Sequence, residues 1–303
     1  MTIKKIIESN RNEIAFIVGN GINRYPNNPK AISWESLLLT LWEKFADNPN
    51  SILPKGVSLT EFYDLLDINN IDGISTNYLI QKEAGKILEA WSDATHHRKF
   101  VEKAKSINAP VLTTNFDLIL PKTLELQQLE CDTKKFTDFY PWSTYYSDNH
   151  LNYPTDGFGI WYINGLITYH RSIRLGLSHY MGSVQKARSF LHRGDDSRLF
   201  SGKDIHNWKG CKTWLHIIFN MPLYIFGLAL EENEVFLRWL LIERARYFRK
   251  FPERRKDGWY ITKKPYIQDE KYLGKKYFLE NVGFNFMEVE NYEDMYESPW
   301  HLY

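Results

Sequence analysis

Short apolar runs, most of them ending at glycine, threonine or asparagine, constrain the fold of this chain more than any other feature. They lie at 13–18, 110–114, 159–163, 222–226, 258–262 and 284–289. Runs this apolar are typical of parallel strands that are buried on both faces. Segments with helical spacing separate them, so the sequence predicts an α/β fold with a mostly parallel sheet covered by helices on both faces.

The segment between the first two runs, residues 31–106, has helical patterns and no strand pattern. Apolar residues from Trp34 to Trp42 fall on one helical face, and Ser33 precedes them at the position of an N-cap. Further helices are predicted at 59–66, 77–91, 97–105, 118–129, 178–192, 232–248 and 269–280, and an extended loop, with a short strand inside it as an alternative, at 131–159. A parallel crossover needs fewer residues than 31–106 contains, so we expect a helical insertion within one domain of residues 1–303.

Composition and charge argue against several function classes. The net charge is +1, so no overall field attracts the protein to nucleic acid or to a membrane. Its two cysteines, Cys131 and Cys211, are too few for a four-thiolate zinc site or a disulfide framework. The sequence shows no signal peptide and no apolar run of membrane-spanning length. We therefore expect a cytoplasmic protein without zinc that binds neither membranes nor nucleic acid.

Glycine follows the first predicted strand directly, at Gly19 and Gly21. Glycine lets the backbone turn sharply and approach a phosphate, and the amides that open a following helix favour an anion. Arg24 stands where the dinucleotide fingerprint has its third glycine, so a dehydrogenase-type motif is incomplete. A tight turn in a packed sheet is the alternative.

An amide and a carboxylate, Asn115 and Asp117, follow the second predicted strand. Strand ends of open α/β sheets are where ligands bind, and an amide with a carboxylate suits a ribose or a positive charge developing on a sugar. The alternative is a turn in which the side chain caps the next helix.

Four segments, in order along the chain, resemble the sirtuin-like family and its bacterial NAD-consuming branch. Gly19-Asn20-Gly21-Ile22-Asn23 resembles the family's Gly-Ala-Gly-Ile-Ser loop, and Thr113-Thr114-Asn115-Phe116-Asp117 is similar to its Thr-Thr-Asn-Tyr-Asp segment. Ile163-Asn164-Gly165 lies where the family has a hydrophobic residue, His and Gly. Gly227-Leu228-Ala229-Leu230 resembles the Gly-Thr-Ser-Leu segment that contacts the adenosine side of NAD.

The resemblance implies a Rossmann-like domain that binds NAD or ADP-ribose. It implies that Asn115 contacts the nicotinamide ribose or an attacking water, and that Asp117 shapes the same pocket. The implied cofactor-binding residues are Gly19, Asn20, Gly21, Ile22, Asn23, Arg24, Thr114, Asn115, Asp117, Gly227, Ala229 and Leu230, and the implied catalytic residues are Asn115, Asp117 and Asn164.

The resemblance also implies a function. Because the four cysteines of the protein-deacylating members are missing, it favours the members that hydrolyse NAD to nicotinamide and ADP-ribose in prokaryotic anti-phage defence. Such a protein is expected to form a homo-oligomer and to act when a signal or a companion protein activates it.

One position departs from the family: Asn164 replaces the histidine that serves as the catalytic base. An amide accepts no proton at neutral pH, and general-base assistance typically contributes about 10²–10⁴-fold to a rate. Positioning by Asn115 and Asn164, or a substitute imidazole at His170 or His179, would keep the protein an enzyme. The alternative is a binding module for NAD or ADP-ribose that acts as a sensor or an assembly scaffold.

Two charged groups have simpler explanations. Glu231, Glu232 and Glu234 begin a predicted helix, where acids favour the positive end of the dipole. The basic run from Arg244 to Lys256 is expected to be a solvated helix end rather than a nucleic-acid surface.

Overall fold

A single eight-stranded sheet organises the computed structural model, which describes residues 2–48, 52–70, 78–132 and 140–301. The strands are β1 (Ala15–Val18), β2 (Val111–Thr113), β3 (Gln127–Glu130), β4 (Thr144–Ser147), β5 (Ile160–Tyr162), β6 (Leu223–Phe226), β7 (Gly258–Lys263) and β8 (Asn285–Val289). Their order is β3-β4-β5-β2-β1-β6-β7-β8, and only the pairings of β3 with β4 and of β4 with β5 are antiparallel. The predicted α/β, Rossmann-like fold is confirmed.

Helices cover both faces of the sheet. They are α1 (Ile3–Ser9), α2 (Gly21–Arg24), α3 (Trp34–Phe45), α4 (Leu59–Ile68), α5 (Leu79–Glu89), α6 (Thr95–Ser106), α7 (Ile119–Lys122), α8 (Leu177–His192), α9 (Leu215–Asn220), α10 (Val235–Lys250), α11 (Glu270–Asn281) and α12 (Glu293–Tyr296). Side chains alternate along β1, so Ile17 faces a core formed with α8, α9 and α10, whereas Phe16 faces a core formed with α1, α6 and α12. Among the described residues, no helix is long and apolar enough to cross a membrane.

The helices between β1 and β2 divide into two groups. Helices α3, α4 and α5 form a third core together with Ile119 of α7 and apolar residues at 167–175. The Ser33 hydroxyl accepts a hydrogen bond from the Ser36 amide at 3.0 Å, as the predicted N-cap requires. Helix α6 instead packs on the sheet, where Phe100 contacts the ring of Phe16. Residue 77, where a helix was predicted to begin, lies outside the described residues.

The predicted helix at 118–129 is wrong. Only the single turn α7 forms, the chain reverses near Glu125, which adopts a φ of +52°, and the next residues become strand β3. Residues 127–130 pair with β4, which lies in the predicted loop at 131–159, so antiparallel pairing overrides the local helical pattern. Residues 133–139 of that loop lie outside the described residues.

The expected solvated helix end is also wrong at one residue. Arg244 is only 1% exposed. Its guanidinium donates to the carbonyl oxygens of Ile218, Met221, Lys256 and Asp257. It therefore joins α10 to the segments that enter β6 and β7, a role that no periodic pattern in the sequence reveals.

The order in which successive strands are added to the sheet reverses at β1. Strands β2 and β5 lie on one side of it, and β6, β7 and β8 lie on the other. Crevices at such switch points, outside the carboxyl ends of parallel strands, are where open α/β sheets bind ligands. The four strands that precede Asn164, Asn115, Gly19 and Gly227 are adjacent in the order β5-β2-β1-β6.

Candidate functional site

A cleft of about 950 Å³ lies at the carboxyl ends of these four strands. This volume is at the upper end of the range of ligand pockets. Most of the residues predicted from the sequence line it: Asn20, Gly21, Arg24, Thr114, Asn115, Asp117, Asn164, Gly227 and Ala229. The others, Gly19, Ile22, Asn23 and Leu230, do not line it.

The glycines after β1 bring two loops into contact. The Gly21 amide donates to the Gly227 carbonyl at 2.7 Å. A Cβ atom at Gly19 would lie 2.7 Å from the Gly227 oxygen, and one at Gly21 would meet both that oxygen and the Tyr296 hydroxyl. Gly227 itself has a φ of +65°, which favours glycine. Gly19 and Gly21 therefore allow the two loops to pack closely, as in the tight turn considered above. The packed loops form the floor of the cleft.

A buried hydrogen-bond chain supports the Asp117 side of the cleft. The Ala94 amide donates to Nδ1 of His97, so the imidazole hydrogen lies on Nε2, which donates to Oδ1 of Asn23 at 3.1 Å. Asn23 Nδ2 then donates to Asp117 at 2.8 Å, and the Ile119 amide donates to the other Asp117 oxygen at 2.9 Å. Burial lowers the pKa of His97 to about 3 and raises that of Asp117. Asn23 and Asp117 therefore fix the shape of the site.

Asn115, which lines the cleft, has an unused side-chain donor. Its backbone amide donates to the Thr113 hydroxyl at 3.1 Å, and that hydroxyl donates to the Val18 carbonyl at 3.1 Å, which ties the turn to β1. The side chain is 8% exposed, and its Nδ2 has no hydrogen-bond partner within the described part of the chain. A buried amide without a partner is costly, so a ligand that accepts from it is favoured.

Asn164, which lines the same cleft, has an unused side-chain acceptor. Its Nδ2 donates to the Thr114 carbonyl at 3.3 Å, and its Oδ1 has no partner among the described residues. The next residue, Gly165, has a φ of +105°, and a Cβ there would collide with the Ser172 backbone. The turn that aims Asn164 into the cleft therefore requires glycine.

Two aromatic residues from outside the predicted set add polar groups to the wall. The indole nitrogen of Trp34, on α3, and the hydroxyl of Tyr180, on α8, both belong to cleft residues. Neither atom has a hydrogen-bond partner in the described ranges. Together with Asn115 and Asn164 they offer mostly donors and one carbonyl acceptor, a set that matches hydroxyl and carboxamide groups.

Glu234 is a cleft residue that the sequence interpretation missed. The three acids were assigned only to a helix dipole, but Glu231 and Glu234 both line the cleft, whereas Glu232 is exposed outside it. Glu231 pairs with Lys271 at 2.8 Å, and Glu234 lies beside Asn164. Burial raises the pKa of Glu234 to about 7; a hydrogen bond from Asn164 lowers it and the charge of Glu231 raises it. Its position four residues after the Gly227–Leu230 segment was the available signal.

The two histidines considered as substitute bases lie elsewhere. Neither His170 nor His179 lines the cleft. Nδ1 of His179 accepts from the amides of Leu175 and Gly176, and burial lowers the pKa of His179 to about 4. In the described ranges, no group of three or more His, Cys, Asp or Glu residues is arranged to hold a metal ion.

Cations lie on the rim of the cleft. Arg24 is exposed, and Lys263 and Lys275 extend from β7 and α11 into the lining.

No protein-family model matches this chain, and no curated protein matches it either.

Proposed function

We propose that the cleft binds NAD and hydrolyses the bond between nicotinamide and ribose. The observation that carries the proposal is the pair of unpartnered, buried polar atoms, Asn115 Nδ2 and Asn164 Oδ1, in one cleft at adjacent strand ends. The four sirtuin-like segments, which meet at this cleft, support NAD as the ligand.

The groups in the cleft suit the nicotinamide riboside half of NAD. Asn115 Nδ2 donates to a ribose hydroxyl or to the attacking water, while Asn164 Oδ1 accepts from water or from the carboxamide. Cleavage of a glycosidic bond passes through an oxocarbenium-like state, and nicotinamide departs as a neutral molecule. Positioned water therefore traps a cation that is already forming, which makes orientation by the two amides valuable.

The rim suits the remaining half of the dinucleotide. Arg24, which is exposed at the end of α2, and Lys263, at the end of β7, supply positive charge for the two phosphates. The cleft volume of about 950 Å³ accommodates a ligand of this size.

Nicotinamide release from NAD by the purified protein tests the proposal. We expect Asn115→Ala to reduce turnover by about 10²–10³-fold, the usual cost of removing an oriented donor from an active site. Asn152→Ala, at an exposed asparagine outside the cleft, is the matched control and is expected to leave turnover unchanged. Equal rates for Asn115→Ala and the parent protein would contradict the proposal.

A second candidate is a non-catalytic NAD or ADP-ribose binding module, and Asn164 favours it because an amide cannot act as a base. This candidate predicts that ADP-ribose stabilises the protein, by about 2.7 kcal/mol at a hundredfold excess over Kd, without any release of nicotinamide. It also predicts that Asn164→His introduces turnover. If neither NAD nor ADP-ribose raises the Tm, both candidates fail.

The biological setting of the proposal rests on the sirtuin-like resemblance. We propose a cytoplasmic homo-oligomer in prokaryotic anti-phage defence, activated by a signal or a companion protein. Expression of the parent chain should protect cells from phage and lower their NAD during infection. Expression of Asn115→Ala should do neither.

A further inference from the structure

We propose that Glu234 is the general base of this reaction and accepts the proton of the water that attacks the ribose. This inference rests on the proposed NAD hydrolysis and deepens it, because it assigns the proton transfer that Asn164 cannot perform. Three observations support it: the place of Glu234 in the cleft, the proximity of its carboxyl group to Asn164, and the lack of a salt bridge to it among the described residues.

The surrounding chain fixes the position of Glu234. It is the residue before α10, and its backbone amide donates to the Glu231 carbonyl at 3.0 Å. Arg238, one turn into the helix, donates to the Leu230 carbonyl at 3.0 Å. The carboxyl group therefore reaches the cleft from a short, hydrogen-bonded turn at the start of a sixteen-residue helix.

The carboxyl group lies beside the two predicted site amides. It lies close enough to Asn164 for that side chain to lower its pKa, and Asn164 Nδ2 donates to the carbonyl of Thr114, the residue before Asn115. Asn164 Oδ1 is buried and has no partner among the described residues, so a water molecule that a small shift of this amide admits to the corner would meet two acceptors, that oxygen and the Glu234 carboxylate. Both hydrogens of such a water point to acceptors, and a lone pair of its oxygen is free to attack the ribose.

The charges that face Glu234 leave it able to gain and lose a proton near neutrality. The charge of Glu231, in the same turn, raises the pKa of Glu234, and the Tyr180 hydroxyl on α8 interacts with Glu234 as well. No salt bridge to Glu234 occurs in the parts of the chain that the structure describes. Burial accordingly raises the pKa of Glu234 to about 7, close to the ideal for a base that works at neutral pH.

The step balances without another reactant. The water oxygen forms a bond to the anomeric carbon of the ribose, and its proton moves to Glu234. The bond from that carbon to the ring nitrogen breaks, and its electron pair stays on the nitrogen, which converts the pyridinium into neutral nicotinamide. Glu234 then returns the proton to solvent, so each turnover yields nicotinamide, ADP-ribose and one proton.

The test compares Glu234→Gln with Glu232→Gln, a matched change at an exposed acid outside the cleft. In the parent protein and in Glu232→Gln, we expect kcat/KM to fall tenfold per pH unit below about pH 7, because the protonated base is inactive. In Glu234→Gln, kcat at pH 8 should fall by about 10²–10⁴-fold with KM little changed, and the dependence on pH should disappear.

A further variant separates catalysis from folding. Glu234→Ala should bind ADP-ribose and regain part of its turnover when formate is added, since a free carboxylate replaces the missing one. Glu234→Gln with parental turnover and an unaltered pH profile, or no rescue of a folded Glu234→Ala by formate, would overturn the assignment alone. A parent protein that releases no nicotinamide would overturn the proposed hydrolysis together with it.

Discussion

Arg244 holds together the segments that enter β6 and β7, at the end of these strands opposite the cleft. Its replacement by methionine tests whether these contacts stabilise the fold. Nε donates to the Ile218 carbonyl at 2.8 Å, and Nη2 lies 3.1 Å from each of the Met221, Lys256 and Asp257 oxygens. Methionine fills much of the same volume but donates nothing, so the carbonyl groups lose a shared partner in a buried site.

The expected size follows from the number of donors. Three N–H groups serve four oxygens, because Nη2 has two hydrogens for three of them. Hydrogen bonds from a charged group contribute about 1.5–3 kcal/mol each, and burial of the guanidinium costs several kcal/mol. We therefore expect Arg244→Met to lower the free energy of unfolding by about 2–4 kcal/mol.

Urea unfolding of the parent, Arg244→Met and Arg249→Met measures the effect. Arg249 is exposed on the same helix, so the same substitution there should change the free energy of unfolding by less than about 0.5 kcal/mol. Below the melting transition, Arg244→Met should still bind ADP-ribose, because the anchored carbonyl groups precede β6 and β7 and lie away from the cleft. Equal destabilisation by the two substitutions would refute the role given to Arg244.

Three other predictions follow from contacts in and below the cleft. Gly21→Ala should lower the free energy of unfolding by about 1–3 kcal/mol because its Cβ meets the Gly227 backbone, whereas Gly182→Ala, in an open helical position, should raise it by about 0.5–1 kcal/mol; thermal unfolding compares the two. Asp117→Asn should cost about 1–3 kcal/mol by facing one amide donor with another, and adding Asn23→Asp should restore more than half of that loss in a double-mutant cycle. Because burial lowers the pKa of His97 to about 3, the unfolded chain binds the proton first as the pH falls below 6.5; stability should decline from there towards pH 3, and His97→Gln should flatten that part of the curve.

The parallel part of the sheet could be predicted from the sequence because burial on both faces leaves a continuous apolar run. Ile14–Val18 and 222–226 are such runs, and both are strands in the structure. Residues 127–130 could not be predicted in this way, since β3 is an edge strand whose conformation depends on pairing with β4. Local propensity contains no information about that partner.

The candidate site also contains residues that could be predicted from the sequence and residues that could not. Turn residues such as Gly21 and Asn115 leave a local signal after a strand, so their convergence could be predicted once the strands were placed in a parallel sheet. Arg244 leaves none, and Glu234 leaves only its place shortly after the Gly227–Leu230 segment, because an acid before a helix and an arginine within one are ordinary in solvent. Only the three-dimensional neighbours of these two residues, the Asn164 amide and four carbonyl groups, distinguish them from surface charges.

The indole of Trp34 in the cleft wall gives the protein a built-in optical signal. Its ring nitrogen lacks a partner within the described residues, while Trp161, Trp214 and Trp300 are fully buried away from the cleft. A ligand that enters the cleft changes the surroundings of Trp34 and of Trp91, which also lines it, and leaves those three indoles in the same environment. Intrinsic emission, with Trp34→Phe to separate the two cleft indoles, can therefore follow occupancy in solution without a label and without any requirement that the ligand react.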